Sequence, residues 1–222
     1  MNKINRGILF FCLFGTMANA YSAISYQSDD RYIDHTKATP TRMTPTTPYA
    51  DFNKSWYAFE AGASQKSSVT STSMTGSGST YAGYDARLYG ATAISEFSVT
   101  FSVDQLTNFS LSGNLDSNPA FGGFNGDIFV TLKENGANVF SKNNWDLGNL
   151  GVNPFNFAGQ FLTGNTYQLI LHSNSWDSTY YDEKWKFDLT TTPAAVPVPA
   201  AAWLLGSGLL GLAGIARKRK GA

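Results

Sequence analysis

Apolar and polar residues alternate with a period of two through the middle of the chain. Phe97, Val99, Phe101 and Val103 alternate with Glu96, Ser98, Thr100 and Ser102. Successive side chains of a strand point to opposite faces, so this pattern predicts a strand with one face buried and one wet. Trp185, Phe187 and Leu189 alternate with Lys184, Lys186 and Asp188 in the same way, and Tyr167, Leu169 and Leu171 form an apolar face after the turn residues Gly164 and Asn165. Ile128, Val130 and Leu132 lead through Glu134, Asn135, Gly136 and Ala137 to Val139 and Phe140. That is a hairpin signature, with Asn135 and Gly136 as the residues that tolerate positive φ. Weaker strand patterns fall at 55–61, 66–74, 85–91 and 106–112. Eight or nine short strands without a sustained helical period predict an all-β fold, an antiparallel β-sandwich of jelly-roll type, with a barrel as the alternative. No constant period repeats, which disfavours a solenoid. The Ser-, Thr- and Gly-rich stretch 64–83 lacks large core residues and reads as an edge strand and mobile loop.

Both ends break the period. Lys3 and Arg6 precede the apolar stretch Ile8 to Phe14, and Ala18, Asn19 and Ala20 supply a small-x-small cleavage site, so residues 1–20 read as a signal peptide cut after Ala20. Its apolar core is too short to span a bilayer. Cys12, the one cysteine, leaves with it. The mature chain must therefore rely on its core and hydrogen bonds rather than on disulfides. Residues 21–50 interleave Thr36, Thr39, Thr41, Thr44, Thr46 and Thr47 with Pro40, Pro45 and Pro48 and hold few apolar residues, which predicts a flexible arm before a β domain at 51–192.

The C-terminal residues 193–222 change character again. Val196, Pro197, Val198 and Pro199 lead into an uncharged run from Ala200 to Ala216, closed by Arg217, Lys218, Arg219 and Lys220. As a helix this run reaches roughly 25 Å, slightly short of a hydrocarbon core of roughly 30 Å. The prolines lack N–H donors and fix their own φ, which sets the helix start near Ala200. Trp203 suits the outer interface, and the basic residues 217–220 stay cytoplasmic, placing everything before Val196 across the membrane. Gly206, Gly208, Gly211 and Gly214 leave one side of the helix bare for close approach to another helix.

The tail from Val196 to Lys220 resembles the PEP-CTERM sorting signal of Gram-negative bacteria in its Val-Pro-x-Pro form. The Pro-x-Pro motif, the small-residue start, Trp203, the Gly-Ser-Gly of 206–208 and the terminal basic cluster occur together and in order. Val198 stands where the family's name records a glutamate. The resemblance is confined to the tail. It implies recognition by an exosortase-type membrane protease and removal of the helix near Pro197 to Pro199. The ectodomain, first anchored to the inner membrane on its periplasmic side, would then pass to the cell surface or an extracellular matrix of exopolysaccharide.

A formal net charge of zero conceals an asymmetry. All 16 acidic residues lie between Asp29 and Asp188, whereas Lys3, Arg6 and residues 217–220 belong to the targeting ends. The exported part carries 10 basic against 16 acidic residues, a net charge near −6. That balance repels nucleic acid and anionic membrane surfaces. It suits a hydrated matrix that contains Ca²⁺, the one cofactor the residues suggest, through Asp177, Asp182 and Glu183 with main-chain carbonyls. The oxygen-rich run Asn114, Asp116 and Asn118 lacks the acidic closure of an EF-hand loop and reads as a turn.

Catalytic signatures are missing from the sequence. His35 falls in the arm, and His172 lies on a strand with no motif-linked acid or nucleophile. No Gly-x-Ser-x-Gly elbow marks a serine; Gly76, Ser77 and Gly78 lack the downstream glycine. Asp182 and Glu183, as strand neighbours, would point to opposite faces and could not act together as a carboxylate pair. The chain therefore reads as a non-enzyme. Trp176, Tyr180 and Tyr181, beside Asp177, Asp182 and Glu183, are the candidate sugar-binding residues, since exposed aromatic faces next to carboxylates suit sugar rings; Trp185 reads as core. These features point first to a structural or adhesive surface protein, then to a carbohydrate-binding module, and last to a secreted hydrolase.

Overall fold

The computed structural model describes residues 23–36, 42–58, 61–83, 91–119, 126–143, 151–176, 181–195 and 207–208. Twelve strands follow in chain order: β1 (Ile24–Asp29), β2 (Tyr32–Thr36), β3 (Phe52–Tyr57), β4 (Ala61–Val69), β5 (Ser73–Ala82), β6 (Thr92–Val103), β7 (Thr107–Pro119), β8 (Gly126–Glu134), β9 (Ala137–Asn143), β10 (Gly151–Phe161), β11 (Tyr167–Trp176) and β12 (Tyr181–Pro193). Sheet A runs β1-β6-β11-β8-β9, with β2 sharing the β6 edge; sheet B runs β10-β7-β12-β5-β4-β3. Every pairing between these strands is antiparallel.

Strand pairing is nested about one hairpin. β8 pairs with β9, β7 with β10, β6 with β11 and β5 with β12. This is one long antiparallel ribbon, folded at the β8–β9 turn, where Asn135 and Gly136 take φ of 48° and 84°. Rolling the ribbon adds the β12–β7 and β11–β8 pairings and leaves two sheets face to face. The ends of β5, β7, β9 and β11 and the starts of β6, β8, β10 and β12 all fall at one end of the sandwich, and β12 ends at the other.

Each inner face is apolar because the chain alternates. Phe97, Val99, Phe101, Leu169, Leu171, Ile128 and Val130 from sheet A meet Leu111, Leu115, Trp185, Phe187 and Leu189 from sheet B in one cluster. Trp185 is the largest fully buried side chain, and β5 makes room for it and for Phe187: a Cβ on Gly78 would stand 2.3 Å from Trp185 Cε2, and one on Gly76 2.7 Å from Phe187 Cε1. The glycines of the polar stretch 64–83 are thus hollows for aromatic rings. That stretch was expected as an edge strand and mobile loop, yet it forms β4 and β5, and β5 lies between β12 and β4. Small residues are what let the bulk of the opposite strand fit. Gly113 on β7 is tighter still, since its Cβ would meet the main-chain oxygen of Lys186 at 2.1 Å and Phe155 Cζ at 2.5 Å. Gly113→Ala is expected to cost about 1–3 kcal/mol, read as a lower midpoint in urea unfolding; an unchanged midpoint would show that β7 and β12 separate at no cost.

The expected flexible arm, residues 21–50, is ordered wherever it is described. β1 pairs with Val99–Val103 and β2 with Thr92–Glu96, both on β6. Ile33 is 1% exposed within a second cluster with Phe52, Ala61, Ala63, Ala82, Ala91 and Ala93, packed also by Met43 and Trp56. His35, assigned to the arm, is buried and stacks on Trp56 at 3.6 Å. The segment takes the unpaired edge that β6 offers and buries Ile24, Ile33 and the Arg31–Asp29 pair. β10, by contrast, has no counterpart among the sequence-predicted strands. Its Pro154 interrupts the pattern but sits on an edge strand, where a missing N–H costs no ladder bond.

The signal segment 1–20 and the tail from Val196 onward lie outside the described residues, except for Ser207 and Gly208, which are helical. Among the described residues no helix is long and apolar enough to cross a membrane.

Candidate functional site

Of the candidate sugar-binding residues, Trp176 and Tyr181 lie at the end of the sandwich where β11 finishes and β12 starts. Trp176 closes β11 opposite Thr92 and is half-buried. Tyr181 opens β12 opposite Ala82 and Pro119, while its side chain and all of Tyr180 lie outside the described residues. The same holds for Ala18, Ala20, the motif Val196, Pro197, Val198 and Pro199, and the anchor residues Trp203, Arg217, Lys218, Arg219 and Lys220. Trp185 is core at 1% exposure. Its indole N–H donates across the sandwich to the Ser95 carbonyl at 3.4 Å.

Asp182 and Glu183 diverge as strand neighbours must. Asp182 faces out and accepts from Lys184 Nζ at 2.5 Å, whereas Glu183 points into the sandwich and is wholly buried. Around Glu183 the inner face turns polar: Thr80 and Ser117 flank it on β5 and β7, and Ser173 and Ser175 on β11 are buried opposite. Thr80 and Ser175 bond to each other across the sheets at 2.8 Å. Neither Glu183 oxygen makes a hydrogen bond of ordinary geometry among the described residues. Burial first, and the charge of Asp127 second, push its carboxyl up to about 9; the Asn174 main chain and the Ser117 hydroxyl, close by, offset only part of this. The group is a neutral acid at neutral pH.

The histidines hold structural places. His172 Nδ1 pairs with Glu96 Oε2 across β11 and β6 and its ring stacks on Phe129 at 5.0 Å. Among the described residues no three His, Cys, Asp or Glu side chains converge on a point that suits a metal ion.

An open recess lies elsewhere, on the outer face of sheet B. Cross-strand register aligns three rows there. One runs Tyr57, Gly62, Tyr81, Asp182 and Asn118; the next Ser55, Ser64, Ser79, Lys184 and Asp116; the third Asn53, Lys66, Ser77, Lys186 and Asn114. Two adjoining open depressions of ≈ 410 and ≈ 420 Å³ share Asn53, Lys66, Ser77 and Lys186. Tyr57 borders them. It is 62% exposed, and its ring edge rests on bare backbone, for a Cβ on Gly62 would lie 2.4 Å from Tyr57 Cδ1. The hydrogen bond from Lys184 to Asp182, with smaller help from Asp116 and Tyr57, pushes the Lys184 ammonium up and keeps it charged despite partial burial. Lys66 and Lys186 make no ion pair among the described residues.

This face was missed in the sequence. The Lys184, Lys186 and Asp188 alternation marks the polar side of β12, but polar residues across one another become a surface only once strand order is known. Asn114 and Asp116, expected in a turn, stand in β7 as part of that surface. No protein-family model matches the chain, and no curated protein matches it either.

Proposed function

We propose that this chain is an exported surface or matrix protein with an adhesive role, sorted through its C-terminal tail. The order of residues 196–220 carries this reading, and the fold supports it in two ways. The sandwich uses its chain up to Pro193, so the motif at Val196 begins where the last strand ends. β12 also ends opposite the end of the sandwich at which it starts beside the ends of β5 and β7, so an anchored ectodomain would present that far end away from its tether. The nested strand order supports the finer assignment as a jelly roll, a scaffold whose polar face is free for binding.

Mass spectrometry of material shed by the producing cells is expected to find a mature N-terminus at Tyr21 and a C-terminus within residues 196–200. Full-length chain confined to the membrane fraction would refute processing. A second reading, a carbohydrate-binding module, is favoured by one observation, the exposed Tyr57 ring laid beside a polar recess.

A further inference from the structure

Outer sheet faces of a sandwich are usually polar and featureless, and this one departs from that in two independent ways. A large aromatic side chain lies out on the surface, supported by a glycine that no other residue could replace without displacing it. Such a ring offers an apolar plane to the axial C–H groups of a pyranose, as exposed aromatic residues do in ligand sites with few polar groups around them. Two rows away, roughly 13 Å along the strands, stand cations that make no ion pair among the described residues. Lys66 and Lys186 flank Ser77 in one row, two strand spacings or roughly 10 Å apart. That is about the length of a disaccharide laid across the strands. Lys54, Lys66, Lys184 and Lys186 line the two depressions against Asp51, Asp116 and Asp188, which makes the recess slightly basic on a domain with a net charge near −6.

We infer that the outer face of sheet B binds an acidic polysaccharide, its Tyr57 ring stacking on one sugar while Lys66 and Lys186 pair with carboxylates on alternate sugars. Asn53 and Asn114 at the ends of the same row and the Lys184–Asp182 pair in the neighbouring rows donate to and accept from hydroxyls. The recess is an open trough rather than an enclosed cavity, which suits a chain that enters and leaves rather than a small molecule. The inference deepens the adhesive reading and rests on it for the source of the ligand, not for the site itself.

Affinity electrophoresis of the purified full chain, held in a nonionic detergent, tests the site with polygalacturonate as probe. Wild type is expected to be retarded by polygalacturonate at low salt and not by neutral hydroxyethylcellulose or by polyglutamate. Lys66→Glu with Lys186→Glu is expected to abolish retardation. Tyr57→Ala is expected to weaken it roughly ten-fold, the equivalent of one well-placed contact, and Tyr57→Phe to preserve it. All four substitutions lie on exposed positions, and an unchanged thermal melt certifies the fold. No retardation of wild type overturns the inference. Equal retardation by polyglutamate, or loss through the lysines with none through Tyr57→Ala, also overturns it, because either marks simple charge attraction. Processing of the tail is read separately by mass, so the binding site and the sorting reading fail independently.

Discussion

Glu183→Gln is expected to stabilise the protein at neutral and alkaline pH and to leave it unchanged in mild acid. The carboxyl has an ordinary value of 4.5, raised to about 9 in the fold by burial first and by Asp127 second. Between those values the unfolded chain carries the charge and the folded chain the proton, so unfolding releases a proton and stability falls as pH rises. The penalty is absent below pH 4.5, grows by about 1.4 kcal/mol per pH unit, and levels off near pH 9. At pH 7 it amounts to about 3 kcal/mol. Glutamine has nearly the shape of the protonated acid and cannot ionise, so the variant should melt roughly 5–10 °C higher than wild type at pH 7. The difference in melting temperature between the two proteins, followed from pH 4 to pH 9, isolates this one group. A flat difference would mean that Glu183 is charged and paired.

Arg31→Ala is expected to do the opposite and to act on the N-terminal strands. The side chains of Arg31 and Asp29 are 0% and 1% exposed and form a two-pronged pair, with Nε donating to Oδ1 and Nη2 to Oδ2, each at 2.7 Å. Nη2 also donates to the Ala50 carbonyl at 2.7 Å, Nη1 to Ser67 Oγ at 3.2 Å, and the Tyr49 N–H to Asp29 Oδ2 at 2.6 Å. One ion pair thus ties the β1–β2 turn to β4 and to the segment before β3. Removing the guanidinium strands a buried carboxylate, which typically costs about 3–5 kcal/mol. Urea unfolding should show that loss, and amide exchange should rise across 24–36 before the central strands open. Burial alone would raise the Asp29 carboxyl, but the Arg31 hydrogen bond, the Tyr49 N–H and the Arg31 charge outweigh it and hold it below 3.8. Its contribution is therefore complete above that value and is lost as pH falls through the depressed folded one. Asp29 and Glu183 taken together therefore contribute most to stability near pH 4–5. Equal exchange rates in Arg31→Ala and wild type would remove the pair from its fastening role.

Strand alternation was legible wherever large apolar residues mark it. Phe97 to Val103, Tyr167 to Leu171, Trp185 to Leu189 and the Asn135–Gly136 hairpin all occupy strands with the expected faces inward. Legibility failed where the strand is built from small residues. β4 and β5 read as an edge strand and mobile loop because Gly76 and Gly78 supply space, and the space is defined by Trp185 and Phe187 more than a hundred positions later. It failed again at the N-terminus, where Thr and Pro suggested disorder although Arg31 and Asp29, an unremarkable charged pair in the chain, close on each other once both are buried. Candidate chemistry was legible only as residue types. Asp182 and Glu183 were correctly separated by strand geometry, but nothing local distinguishes a solvated Glu from one enclosed among Thr80, Ser117 and Ser175.

The sequence by itself determined what depends on neighbours along the chain: which faces of the long strands are apolar, where the main hairpin turns, how charge divides between ectodomain and ends, and the sorting pattern of the tail. Only the tertiary structure decided what depends on neighbours across the chain. Strand order places Tyr57, Lys66 and Lys186 on one surface, makes two glycines into sockets for Trp185 and Phe187, and turns Glu183 into a buried acid. The physical reason is range. Alternation and turn preference act over a few residues, whereas burial, close packing and the field around a charge are set by whichever distant strand the rolled ribbon brings alongside.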